Sequence, residues 1–375
     1  MAVVVTGLGA VTCFGSGVDA LWEGLLRADG RPVPAPDACG LPEHPRLYAA
    51  PAGDATTGRT GALVVEAVAE AVADARLSGD DLLSAGLTVG TSLGDIDLAE
   101  RQGPGRRLAT HGVAAVVADR FGIGGCGHTL STACSAGAYA VGWGADLIET
   151  GQADIVVACG GDAFSRVAVG TLHRFGLLDP DCCRPFDTDR AGMVTGEGAA
   201  AVVLESAESA RRRGVAVQAV LAGQGWSCDA HHPMAPEPTG GQLRRAVAQA
   251  LATSGPPGAV VLHRAGVALN DSVESTAVGE AVTAAGGDIA GTVGYAPKAV
   301  MGHTAGAAGV FGCVIAARML REGLVPPNAH VTTVDPTCPM DVPLAGPVPL
   351  PRPTVLVSGT GFGANNAVLA WEAGA

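Results

Sequence analysis

Two segments of this 375-residue chain repeat one design, and that duplication limits the fold more than any other feature. "HTLSTACSAGAYAVGWGADLIETG" (128–151) and "GYAPKAVMGHTAGAAGVFGCVIAARMLREG" (294–323) each place a reactive side chain just before a long helix of small residues. A second pair agrees. "GALVVEAVAEAVADARL" leads as a helix into the strand "AGLTVGTS", and roughly 180 residues later "GQLRRAVAQALATSG" leads into "GAVVLHRAG". The pattern predicts an α/β fold in two duplicated halves, 1–210 and 211–375, divided near "SARRRGVAVQAV". Each half supplies a strand-rich layer, and small residues let the helices between the layers be buried on nearly all faces. "VVVTGLGAV" opens the chain as a buried strand, "VDALWEGLLRA" follows as an amphipathic helix, and proline-rich residues 30–60 read as loop.

With 48% hydrophobic and 16% charged residues, the chain can bury an extensive core. A net charge of −13 argues against nucleic-acid binding. The first basic residue is Arg27, so the apolar N-terminus reads as a strand and not as a signal peptide. No apolar run approaches the roughly 18 residues that span a bilayer. These features predict a cytoplasmic protein with no membrane contact.

The ten cysteines form no C-x-x-C pair and no disulfide framework. Cys134 differs from the rest because it starts a helix, where free N–H groups and the dipole can lower a thiol pKa from about 8.5 to roughly 3.5–7.5. The competing reading is a structural cysteine at a tight Ala/Gly packing site. His303 occupies the matching position in the second half, and His263 follows the strand "AVVL", so a cysteine and two histidines can converge on one pocket. The other seven histidines read as loop or surface residues, and the absence of metal spacing makes a zinc site weak. Lys298 is the only lysine beside 22 arginines, which leaves two readings open: a position that needs an ammonium and not a guanidinium, or chance retention on a solvated surface. "TGLGAVT" has Thr12 at the third glycine position of a dinucleotide turn, and "GTGFGANN" lacks a phosphate-loop lysine, so neither supports a nucleotide site.

Six stretches occur in the order and spacing of one family: "STACSAG", "GQADIVVACGGDAF", "RPFDTDRAGMVTGEGAAAVVLE", "HRAGVALND", "KAVMGHTAGAAG" and "GFGANN". From residue 3 to about 371 the chain resembles the β-ketoacyl-acyl carrier protein synthases, the ketosynthases of type II fatty-acid and polyketide pathways. The resemblance implies the thiolase-like five-layered αβαβα fold and a dimer, either of two copies or with a second ketosynthase-like subunit. It implies acylation of Cys134 from the phosphopantetheine of acyl carrier protein, followed by decarboxylative Claisen condensation with malonyl-carrier and no bound cofactor or metal. Carried over by motif, His263 and His303 hold the malonyl thioester oxygen. Lys298 sets the local charge, the N–H groups of Cys134 and Phe362 form an oxyanion hole, and Phe362 gates the acyl pocket.

The pattern is broken in places. His263 is followed by Arg264, Ala265, Gly266 and Val267 where the family reads G-T-G-T, which removes two hydroxyls that contact pantetheine. Gly312 stands where a glutamate partners the lysine, so Lys298 is expected to lack its counter-ion, and Ala191 replaces an aspartate. Residues 30–60 and 95–120 look trimmed, where the family builds its pocket cap and part of its dimer surface. Two alternatives stay open: a chain-length-factor-like partner subunit that does not condense, and a non-decarboxylating acyltransferase using the same acyl-cysteine.

Overall fold

The computed structural model describes residues 1–36, 40–41, 45–51, 58–102 and 109–374. Ten of the eleven strands of its main sheet form two five-stranded leaves with the same internal order, and the short strand Gly15–Ser16 pairs with the end of Val3–Thr12. The first runs Gly127–Leu130, Gly86–Gly90, Ile155–Asp162, Gly198–Ser206, Val3–Thr12, and the second runs Val293–Tyr295, Ala259–Val261, Thr354–Gly361, Asn365–Ala373, Ala219–Cys228. In each leaf the first three strands are parallel and the last two antiparallel. The leaves join where Val3–Val5 pairs with Ala219–Leu221.

Helices Arg59–Asp74 and Gly112–Phe121 cover the outer face of the first leaf, and Gly241–Ser254 with Ala268–Ala284 cover that of the second. Between the leaves lie two central helices, Ala136–Glu149 and Ala308–Glu322. This is the five-layered αβαβα arrangement. The small residues of the central helices allow it: a Cβ on Gly137 would stand 2.5 Å from the carbonyl oxygen of Gly306, and one on Gly309 would stand 2.2 Å from the Ala138 nitrogen. From Gly309 to Leu320 every residue of the second central helix is buried, so its packing and not its propensity sets its position.

The proline-rich stretch is not all loop. Val33–Pro34 pairs with Arg46–Tyr48, which pairs in parallel with Thr195–Gly196. A short helix, Gly79–Ser84, also lies between the long helix and the strand of the first half. Ser78 caps it by accepting from the Asp81 N–H at 3.2 Å, and the Asp81 carboxylate accepts the Ser78 N–H at 2.8 Å. In the region read as trimmed at 95–120, helices Ile96–Gln102 and Gly112–Phe121 are present. Within the trimmed regions, residues 37–39, 42–44, 52–57 and 103–108, including Cys39 and His44, lie outside the described residues. Among the described residues no helix is long and apolar enough to cross a membrane.

Candidate active site

Both central helices are entered through an alanine in the left-handed region, Ala133 at φ 52° and Ala305 at φ 47°. That conformation costs an alanine about 1 kcal/mol and fixes a sharp elbow. A single 3-10 turn follows each elbow, Ala133–Ser135 and Ala305–Ala307. The two elbows correct one expectation: the counterpart of Cys134 in the second half is Gly306, whereas His303 lies before the elbow, level with Ser131. The repeated dipeptides Thr132-Ala133 and Thr304-Ala305 carried this register in the sequence.

The structure brings together all five residues picked from the sequence. His303 Nε2 is 3.0 Å from Cys134 Sγ. The His263 and His303 rings face each other edge to face, with centroids 5.3 Å apart and planes at 87°. The Lys298 ammonium, 4% exposed, donates to the main-chain carbonyl of His263. The N–H groups of Cys134 and Phe362 both point at the Cys134 sulfur. Phe362 also lines a small cleft with Met234, Asn270, Glu274 and Thr360.

Burial dominates the electrostatics. It pushes the Cys134 thiol up to about 11, with Asp162 acting in the same direction, while Lys298 and the two N–H groups pull it down. The low thiol pKa expected from the helix N-terminus is therefore not found: the loss of solvation around the sulfur outweighs the pull of Lys298 and the two N–H groups. Burial, reinforced by Lys298, holds His263 and His303 well below the usual histidine value, so both rings are neutral at pH 7. His303 Nδ1 is buried with no hydrogen-bond partner among the described residues, and nothing on that side fixes the tautomer. Burial also lowers Lys298, opposed chiefly by the charge of Glu274.

Glu274 and Asp271 were missed from the sequence. Glu274 accepts the N–H groups of His263 at 2.7 Å and Arg264 at 2.8 Å, and Asp271 accepts those of Ala265 at 3.0 Å and Gly266 at 3.1 Å. The two acids stand three apart on one buried face of the helix Ala268–Ala284, a spacing visible in "NDSVE". Lys298 and Glu274 thus hold the two peptide groups on either side of His263. Lys298 does not lack a compensating charge, since Glu274 and Asp271 favour its ammonium although neither forms a direct ion pair with it among the described residues. A side chain at Gly312 would require Val357 to move, since a Cβ would meet Val357 Cγ1 at 2.5 Å.

The altered histidine motif also has a different meaning from the one expected. Arg264 is 0% exposed and turns into the core, away from any entrance. Its Nε donates to the Pro185 carbonyl at 2.9 Å and lies 3.8 Å from Asp271, and its guanidinium stacks on Phe186 at 4.4 Å. Burial pushes Asp271 up to about 7 against the pull of Arg264. Ala265 is buried, and Val267 precedes the first turn of the helix. Ala191 is exposed; its neighbour Arg190 pairs with Asp335 at 2.6 Å. Outside this cluster, His111, His173, His231 and His232 are exposed. Among the described residues no group of three or more His, Cys, Asp or Glu side chains is placed to hold a metal ion.

A half-buried cysteine at a helix elbow, touched by one of two facing neutral histidines in a duplicated five-layered fold, defines an acyltransferase of the thiolase type. The chain belongs to the β-ketoacyl synthase family: the N-terminal domain of that family matches residues 50–210 and the C-terminal domain matches 218–332. It is 30% identical to 3-oxoacyl-(acyl-carrier-protein) synthase 2 of Synechocystis, over 99% of this chain and 97% of that protein. It is also 30% identical to nodulation protein E of Rhizobium meliloti, over 99% of this chain and 98% of the other. Among solved structures, the ishigamide ketosynthase/chain length factor is 32% identical and superposes with a TM-score of 0.89 over 99% of both chains. The alignment with the Synechocystis protein runs over 416 positions against 375 residues here, so that relative carries insertions this chain lacks.

Proposed function

We propose that the chain is a β-ketoacyl-acyl carrier protein synthase of a type II polyketide or fatty-acid pathway, with Cys134 as nucleophile and His263, His303 and Lys298 completing the site. The 3.0 Å contact between His303 Nε2 and Cys134 Sγ, with His263 facing it, carries this reading. The Cys134 sulfur attacks the carbonyl carbon of a carrier-bound acyl thioester, and the thiol proton passes to the departing carrier sulfur. The oxyanion of the tetrahedral intermediate lies between the N–H groups of Cys134 and Phe362. Malonyl-carrier then loses carbon dioxide, and the electron pair of the broken C–C bond becomes an enolate. Its carbon attacks the acyl-Cys134 carbonyl, which expels the Cys134 sulfur and leaves a β-ketoacyl-carrier.

Neutral histidines with Nε2–H tautomers are suited to hold the enolate oxygen, because they donate without adding charge to a buried site. Each such donor contributes on the order of 2.7–4 kcal/mol. Lys298 and Glu274 hold the His263 backbone, and the Phe362 ring stands where it can gate entry to the acyl site. No bound cofactor is required; both substrates arrive on phosphopantetheine of an acyl carrier protein, the carrier named for the Synechocystis relative.

The working form is a cytoplasmic dimer, of two copies or with a chain-length-factor-like subunit as named for the ishigamide protein. The sheet-edge strand Gly127–Leu130 supports this, lying beside Trp143, which is 42% exposed and in edge contact with His128 at 5.6 Å. A chain acting only as the non-condensing subunit is not favoured, because the cysteine, both histidines and the lysine are all present and in contact geometry.

The test is to incubate the protein, alone and with a candidate partner subunit, with acyl-carrier and malonyl-carrier, following intact mass and carbon dioxide release. An acyl adduct that is absent from Cys134→Ala, together with carbon dioxide release and a β-ketoacyl product, is expected. No adduct under either condition overturns the reading, and an adduct without decarboxylation points to acyl transfer onto another acceptor.

A further inference from the structure

Asp162 is a buried carboxylate, 5% exposed, that ends the strand Ile155–Asp162 and has no part in the chemistry described above. Its oxygens accept the Thr91 hydroxyl at 2.9 Å, the Ser92 N–H at 2.9 Å, the Leu93 N–H at 3.3 Å and the Gly306 N–H at 2.6 Å. Gly306 is the internal counterpart of Cys134. The carboxylate therefore sits at the entry to the second central helix, on the N–H that corresponds to a donor of the proposed oxyanion hole.

The duplication relates Asp162 to Gly361. Each ends an eight-residue strand, and each pairs with the first residue of the next strand, Asp162 with Gly198 and Gly361 with Asn365. The placement is reciprocal: the Ile155–Asp162 strand abuts the turn Ala305–Ala307, and the Thr354–Gly361 strand abuts the turn Ala133–Ser135. A Cβ on Gly361 would stand 2.8 Å from the Thr132 carbonyl oxygen, 3.0 Å from the Ser135 nitrogen and 3.1 Å from that of Cys134, so a side chain there requires the Cys134 elbow to shift. Both helix entries offer N–H groups that favour negative charge. One is filled by the protein's own carboxylate, and the other has a glycine where that carboxylate would start.

We propose that Asp162 is a positioning residue of the acyl-transfer site: it fills the anion position at the second helix entry, whose counterpart at Cys134 is left to the substrate oxygen by Gly361, and so fixes the loop that carries His303. Gly306 is three residues beyond His303, so the bond to Asp162 anchors that loop on its helix side. On the other side the His303 N–H donates to the Val194 carbonyl at 2.8 Å. The charge of Asp162 also reaches the Cys134 sulfur, which faces Lys298 and His303 as well.

The inference rests on the proposed condensing activity, and its test keeps the two apart by requiring wild-type acylation and carbon dioxide release first. Failure of those overturns the activity, not the placement of Asp162. In Asp162→Asn one amide oxygen replaces two carboxylate oxygens, so the amide cannot accept from Gly306 and Ser92 on one side and from Thr91 and Leu93 on the other. The loop shifts, and a displaced His303 is expected to lower condensation turnover roughly 10²-fold. Loss of the nearby negative charge is expected to move the pH profile of Cys134 alkylation by iodoacetamide to lower pH, a change that a purely structural role would not produce. A folded Asp162→Asn protein with wild-type turnover and an unmoved profile overturns the proposal.

The complementary variant Gly361→Asp places a carboxylate on the Cys134 side. It is expected to abolish acylation by acyl-carrier while alkylation by iodoacetamide, which forms no oxyanion, persists. If Asp162→Asn does not fold, this variant decides: acylation at the wild-type rate overturns the equivalence of the two positions. The melting temperature of each variant, compared with wild type, establishes that it is folded.

Discussion

His303 Nε2 meets Cys134 Sγ at 3.0 Å although 169 residues separate them, because the two halves of the chain bring their helix entries together at the centre of the molecule. Each entry is packed between leaves of sheet, and that burial keeps the thiol protonated and both histidines neutral in the resting protein. On the proposed mechanism the site gains its reactivity from donors aimed at developing charge, not from a standing thiolate.

Removing either histidine is predicted to separate the two halves of the reaction. His263→Ala and His303→Ala should still accept an acyl group on Cys134 while carbon dioxide release from malonyl-carrier falls by about 10²–10³-fold, the usual effect of losing one oxyanion donor. Intact mass reads the first step and carbon dioxide release the second. Equal losses in both steps would show that the histidines serve acylation rather than the enolate.

Lys298 lowers the pKa of Cys134, so its removal should raise it. In Lys298→Ala the pH profile of Cys134 alkylation is predicted to move to higher pH, with slower alkylation at pH 7. Lys298→Arg keeps the charge but not the compact donor to the His263 carbonyl, and it should restore the profile without restoring turnover. Recovery of both by arginine would reduce the lysine to a point charge.

Much of this arrangement was legible in the sequence. The duplicated helix entries, the lone lysine and the order of the motifs led to the five-layered fold and to Cys134, His263, His303, Lys298 and Phe362. His303 does not align with Cys134, because the duplicated backbone follows the Thr-Ala elbow and not the positions of the reactive side chains. Glu274 and Asp271 escaped because they act through main-chain N–H groups on a loop that pattern reading leaves blank. Arg264 looked like a change at the entrance, since nothing local in the sequence shows that its side chain turns inward onto Phe186. The thiol pKa was misjudged because burial depends on the whole packed structure, whereas the helix N-terminus is a local signal.

The depressed histidines should also make stability fall in mild acid. Below about pH 6.5 the unfolded chain binds a proton at each position, while the folded protein, with both pKa values well below that point, does not. The stability contributed by the neutral rings is complete above that pH and is lost as pH falls toward the folded values. The melting temperature is predicted to drop between pH 7 and 5, and His263→Gln should flatten that dependence. A variant with the same slope as wild type would assign the acid sensitivity to other groups.

Arg264 gives the sharpest test of the corrected histidine motif. If the G-T-G-T residues were missing only from a pantetheine contact, Arg264→Gly with Ala265→Thr and Val267→Thr would improve turnover with generic carriers. The structure predicts the opposite. The guanidinium is fully buried between Phe186, Pro185 and Asp271, so deleting it leaves a void and removes one of the two cations beside Asp271, with Arg190 at 3.7 Å remaining. Breaking a buried pair in this way costs about 3–5 kcal/mol. Arg264→Gly should therefore lower the melting temperature by several degrees, and Asp271→Asn, which removes the charge but also one of two N–H acceptors, should cost less in the Arg264→Gly background than alone. A double-mutant cycle of thermal unfolding measures the coupling. Additive losses at the two positions would mean that Arg264 acts by packing alone, and a stable Arg264→Gly protein with faster carrier turnover would return the motif to the entrance.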